Sequence, residues 1–195
     1  HRGYDKVPQV PARYTSKKFA RGWRRYIDWF DWIHPEAWDY EHNILHHYNT
    51  GEKADPDVAE PHLQFLRELR VPMFLKYIFM FFAAITWKYT YYAPNTMSVI
   101  DPKNESRIRS ENILFITIKN IFQFSRQEVR ALWLKCYFPY GIVHFLIIPA
   151  LFLPLGSTAA LFVLINKLLA ECITNAHSFL VVGPNHTAED IYRFD

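Results

Sequence analysis

The sequence predicts an all-α integral membrane protein, built as a transmembrane hairpin with a histidine-rich helical cap on its cytosolic side. Three observations predict it. Half of the 195 residues are apolar and 17% are aromatic, far above the aromatic share of an ordinary soluble domain. An apolar tract runs from Tyr137 to about Val182 with one interruption, at Pro154, Leu155 and Gly156. Ahead of it, EHNILHHY over Glu41 to Tyr48 gathers His42, His46 and His47, three of the nine histidines.

Charge marks the first zone. Arg2, Lys6, Arg13, Lys17, Lys18, Arg21, Arg24 and Arg25 stand against the single acid Asp5, and so basic a segment beside membrane spans belongs on the cytosolic face, against anionic headgroups. A solvated basic loop is the competing reading. Trp23, Tyr26, Trp29, Phe30, Trp32 and Trp38 follow, and rings this dense suit the membrane interface. Pro35 then starts a helix whose first turn carries Glu36 and Asp39, and Thr50 with Gly51 ends it.

That helix holds the metal-ligand pattern. Positions i and i+4 share a helix face, so His42 and His46 can grip one ion, while His47, turned by ~100° from His46, can reach a second. Imidazole suits iron, zinc or copper, and no cysteine lies close enough for a thiolate zinc site. Cys136 and Cys172 sit in apolar surroundings and read as buried free thiols rather than a disulfide. A net charge of only +3 and the lack of any nucleic-acid-reading motif exclude a nucleic-acid partner.

The long tract divides into Phe138 to Leu153 and Ser157 to Ile173, each near the short end of the roughly 17 to 25 residues a span needs. A core hairpin of a soluble helical protein competes, because His144, Asn166 and Lys167 lie inside it. Pro72 to Tyr92 is apolar with Lys76 and Lys88 near its ends, which fits a tilted span or an interfacial helix alike. Stretches between Asp101 and Lys135 are patterned as amphipathic helices lying on the membrane. After the hairpin, Glu171, Asn175, His177, Asn185 and His186 form a second polar knot, a functional candidate by its place at the end of a span. Were both knots on one side of the membrane, His177 could meet His42, His46 and His47. His34, His62 and His144 have no clustered partners and read as structural.

The EHNILHH cluster, with Asp55, Pro56 and Asp57 downstream, resembles the second histidine box of the membrane fatty acid desaturase and hydroxylase superfamily. The basic aromatic approach, the hairpin and a histidine motif over 171–190 follow the family's order across nearly the whole of residues 1–195. The spacing here is HxxxHH, one residue longer than the commonest desaturase form. The resemblance implies a di-iron centre, with His42, His46 and His47 as box-two ligands and His177, with Asn175 or His186, as the extra site. It implies oxygen-dependent desaturation of a fatty acyl chain, electrons from a donor such as cytochrome b5 or ferredoxin, and residence in the endoplasmic reticulum, a plastid membrane or a bacterial inner membrane. Cleaving an unactivated methylene C–H bond needs a redox-active metal acting with molecular oxygen, which favours iron over d¹⁰ zinc. A related acyl or alkyl hydroxylase, a non-catalytic membrane metal-binding protein and a soluble helical zinc protein are the alternatives. The chain opens on His1 and stops at Asp195 in a charged stretch, so it reads as a fragment whose first and third boxes are missing or incomplete and which should be inactive alone.

Overall fold

The computed structural model describes residues 9, 11–15, 18–50, 55–56, 66–99 and 115–185. Among these, every regular element longer than one turn is helical. A 3-10 turn at Gly22–Arg24 leads into a one-turn helix α1, Arg25–Asp28. Helix α2 covers residues 35–49, with Pro35 at its first position, where the missing N–H costs nothing. Helix α3 is Met73–Ile85, and after a break at Thr86 helix α4 covers residues 88–99. Two long helices follow, α5, Gln127–Leu155, and α6, Ser157–Asn185.

The hairpin expected from the apolar tract is present, and its arms are longer than the apolar run. Each has 29 residues, ~43 Å of helix, against a hydrocarbon thickness of about 30 Å. The segment from Gln127 to Lys135, expected as a separate surface helix, is the first turns of α5. Between the arms Gly156 takes a φ of 109°, a conformation that a side chain would strain, and Pro154 just before it helps end α5.

The packed core lies at one end of the hairpin. Trp32 and Ile33 meet Ala93 and Met97 of α4, Ile116, and Val129, Leu132, Cys136 and Tyr140 of α5. Away from that core the long helices expose their apolar side chains, among them Leu146, Leu151, Phe162 and Leu169. In α6 none of the most apolar 18-residue window is buried. Helix α3 is similar: it packs against α6 yet buries none of its residues and presents Met73, Phe74, Tyr77, Phe81 and Phe82 outward. A soluble monomer does not sustain so wide an apolar surface. The chain thus has two helices long and apolar enough to cross a membrane, with a shorter apolar helix beside them.

Candidate metal centre

Helix α2 is anchored on both sides. Its inner face packs on Ala93–Val99 of α4, where Leu45 and Val99 bury each other beside Tyr40. On its outer face Arg21 Nη2 donates to Asp39 at 2.6 Å, and Asn43 donates to the other oxygen of Asp39 at 2.8 Å. Thr50 Oγ1 donates to the His46 carbonyl and Asn49 to the Leu45 carbonyl, so side chains satisfy the last backbone acceptors of the helix.

Within α2, Glu41–His46 is a π-helical turn, and the His47 N–H donates to the His42 carbonyl five residues back. This changes the reading of the cluster. In a regular α-helix His47 would stand ~140° around the axis from His42, out of reach of a shared site. A π-turn holds nearly one more residue per turn, and such bulges recur at functional sites. Here the ring centroids lie 5.4 Å apart for His42 and His46, 4.7 Å for His42 and His47, and 5.5 Å for His46 and His47. The three imidazoles therefore form one group, not a pair with a third ring directed elsewhere.

Each ring has its own environment. His46 is buried, and its Nδ1 lies 2.9 and 3.0 Å from the two carboxylate oxygens of Asp55. An ionised carboxylate only accepts, so Nδ1 is the donor in this contact; in the neutral imidazole Nε2 then keeps its lone pair, the arrangement that prepares a histidine for a metal. Asp55 is itself fixed, since Asn95 of α4 donates to the carbonyl of the next residue, Pro56, at 3.2 Å. His42 is half-buried and stacks on Trp38 with centroids 4.8 Å apart, and the Trp38 Nε1 donates to the Tyr92 hydroxyl at 2.9 Å. His47 is exposed. In the sequence Asp55 stands only within the Asp-Pro-Asp motif, with no local feature that gives it a role. The signal was an aspartate nine residues past a histidine, which becomes specific only when the fold sets the two side chains in contact.

The second polar knot is assembled, but elsewhere. Asn175 is fully buried, with its Oδ1 accepting from the Lys88 N–H at 2.7 Å and its Nδ2 donating to the Glu171 carbonyl. Glu171 accepts from the Tyr89 hydroxyl at 2.9 Å and from the Tyr140 hydroxyl. These contacts tie α6 to α4 and α5. Two residues beyond Asn175, His177 lies on the other side of α6, where its exposed ring makes no hydrogen bond or ring contact among the described residues. His177 was expected just beyond the end of the last apolar helix, and it stands within α6, which continues to Asn185. His186 and His62 fall outside the described residues. His34 is buried at the start of α2, and His144 stacks on Tyr140 and meets Lys167 Nζ at 3.2 Å. Cys136 is buried and Cys172 half-buried, both as free thiols.

As donors, His42, His46 and His47 suit a borderline divalent metal, and the Asp55 contact suits it further. Among the described residues no three His, Cys, Asp or Glu side chains stand ready around a single ion position. No family model matches the chain, and neither a curated protein nor a solved structure is significantly similar to it.

Proposed function

We propose that the chain is the histidine-box portion of a membrane-embedded, iron-dependent oxidoreductase that desaturates a fatty acyl chain. The observation that carries this reading is the grouping of three imidazoles on a π-turn with a buried carboxylate behind one of them. A solvated histidine-rich helix would have no use for that carboxylate. His42, His46 and His47 would hold the metal through neutral imidazole nitrogens. Iron, when bound, supplies the one-electron and oxygen chemistry that no side chain can perform. Asp55 keeps the proton on Nδ1 of His46 and so keeps Nε2 free to ligate. Trp38 fixes the plane of His42 by stacking.

The apolar faces of α3, α5 and α6 suit lipid, which would place the acyl substrate beside the protein within the bilayer. Electrons would come from a donor such as cytochrome b5 or ferredoxin, at the face that carries α2. A second reading, a membrane metal-binding protein without turnover, is favoured by the position of His177 away from contact with the other three.

The test is to express the full-length protein that contains this chain in a host membrane and measure iron per purified protein together with acyl-chain products by gas chromatography and mass spectrometry. His46→Ala should abolish products and lower iron while the protein stays in the membrane fraction. Normal product from that variant would end the desaturase reading. Bound metal in the wild type with no oxidised product would select the second reading.

A further inference from the structure

Arg25 is buried, 5% exposed, in the wall between the aromatic segment and α5. Its Nη2 donates to the backbone carbonyls of Asp31 at 3.3 Å and Ile33 at 3.4 Å, while Nε and Nη1 are buried with no hydrogen bond among the described residues, the weakly accepting Cys136 sulfur lying against the guanidinium. Nor does Arg25 make an ion pair among them, in contrast to its neighbours. Arg13 and Arg24 share Asp28, and Arg21 is held by Asp39 with Glu36 near. Leaving a guanidinium buried with two donor nitrogens unsatisfied is expensive, and such groups are found where something else supplies the acceptor.

The surroundings match one kind of acceptor. His34 Nδ1 is a second buried nitrogen without a partner among the described residues. The charges acting on His34 are Arg25, Lys135 and Arg21, all positive, and together with burial they hold its imidazole neutral, with a pKa lowered to about 4. Cys136, next to Lys135 on α5, lies against Arg25. Asp31 is the nearby carboxylate, and it is engaged otherwise: its Oδ1 accepts from the Trp32 N–H at 2.7 Å, and it makes no ion pair with Arg25 among the described residues. The guanidinium is thus buried and held in place, and the exposed Lys135 and the part-exposed Arg21 add positive charge beside His34.

Depth along the hairpin points to the ligand. Cys136 is 19 residues from Leu155, ~29 Å along α5, which is about the thickness of the hydrocarbon core. With the turn at one membrane surface, Arg25 and Lys135 lie at headgroup level on the other. We propose that Arg25, with His34 and Lys135, forms a binding site for a phosphate group, the oxyanion whose geometry an arginine fork matches. The lipid headgroup is the source its depth favours, and that part rests on the membrane reading; the phosphate site itself does not.

The experiment uses the detergent-purified protein and two probes. In the first arm, inorganic phosphate is titrated at constant ionic strength and the thermal unfolding midpoint is followed, since a ligand of the native state raises it in proportion to ln(1 + [L]/Kd). In the second, nanodiscs of phosphatidylcholine are compared with nanodiscs doped with phosphatidic acid, and retained lipid is counted by native mass spectrometry. A saturable rise in the midpoint with phosphate, or retained phosphatidic acid, is expected in the wild type. Arg25→Gln should weaken it at least about tenfold, and the surface variant Lys135→Gln, which has little to do with folding, several-fold. Lys18→Gln, an exposed cation outside the site, should change nothing. Response to phosphatidic acid alone assigns the headgroup, and response to both assigns an open phosphate site. No response in either arm, or Lys135→Gln binding as tightly as wild type, overturns the proposal, whether or not the protein proves to be a desaturase.

Discussion

Replacing Asp55 tests whether the histidine group is a metal centre or an incidental cluster. The side chains of His46 and Asp55 are 9% and 3% exposed, so their contact is formed almost without water. Asp55→Ala strands the Nδ1–H of His46, which costs ~1–3 kcal/mol as an unsatisfied buried donor. It also frees the ring to rotate and to carry its proton on the other nitrogen. Loss of such an outer partner lowers metal affinity ~10–100-fold, equal to ~1.4–2.7 kcal/mol of binding energy. Asp55→Asn keeps an acceptor oxygen in place and should lose affinity by less than about tenfold. The assay is chelator-competition titration of zinc and of ferrous iron against purified protein, with the unfolding midpoint measured on the same samples. Affinity should be highest in the wild type, lower in Asp55→Asn and lowest in Asp55→Ala. Asp39→Ala is the control, because Asp39 serves Arg21 and Asn43 on the outer face of α2 and should change stability without changing affinity. A folded Asp55→Ala protein that binds metal as tightly as wild type would refute the role given to Asp55.

Three more outcomes are expected. The folded-state pKa of His34 is lowered from 6.5 to about 4, by burial first and then by Arg25, Lys135 and Arg21, so between those values the unfolded chain binds the extra proton. Stability should therefore be full above pH 6.5 and fall by up to ~3 kcal/mol as pH drops through that window, and denaturant midpoints of His34→Gln should lack this share of the slope. Glu171→Ala leaves the Tyr89 and Tyr140 hydroxyls without their acceptor, and at ~0.6–2 kcal/mol per bond between membrane helices the two should cost ~1–4 kcal/mol; an unchanged midpoint in an SDS unfolding titration would count against the clamp. In a protein freed of its two cysteines, Lys119→Cys and Val181→Cys should react with an impermeant maleimide from one side of sealed vesicles and Leu155→Cys from the other. Labelling of all three from one side would remove the hairpin from the membrane.

Much of this molecule follows from local chemistry and was legible in the chain. The helical class, the division of the apolar tract at Pro154 to Gly156, and the start of α2 at Pro35 depend on residues within a few positions of one another, where hydrophobic run length, proline geometry and glycine φ act directly. The histidine cluster was visible for the same reason. Its geometry was not, because the sequence offers the 3.6-residue repeat, and only the packed helix shows a π-turn that brings His47 around to His42. Asp55 meets His46 nine positions away, beside a Pro56 carbonyl held by Asn95 of α4, and Asn175 turns toward Lys88 while His177 turns outward because α6 continues unbroken past both. The isolation of Arg25 is likewise invisible in a sequence where Asp28 and Asp31 stand three and six residues away. In the fold one carboxylate is taken by Arg13 and Arg24 and the other accepts from the Trp32 N–H, so the pairing of charges was decided by which faces of the chain were packed together.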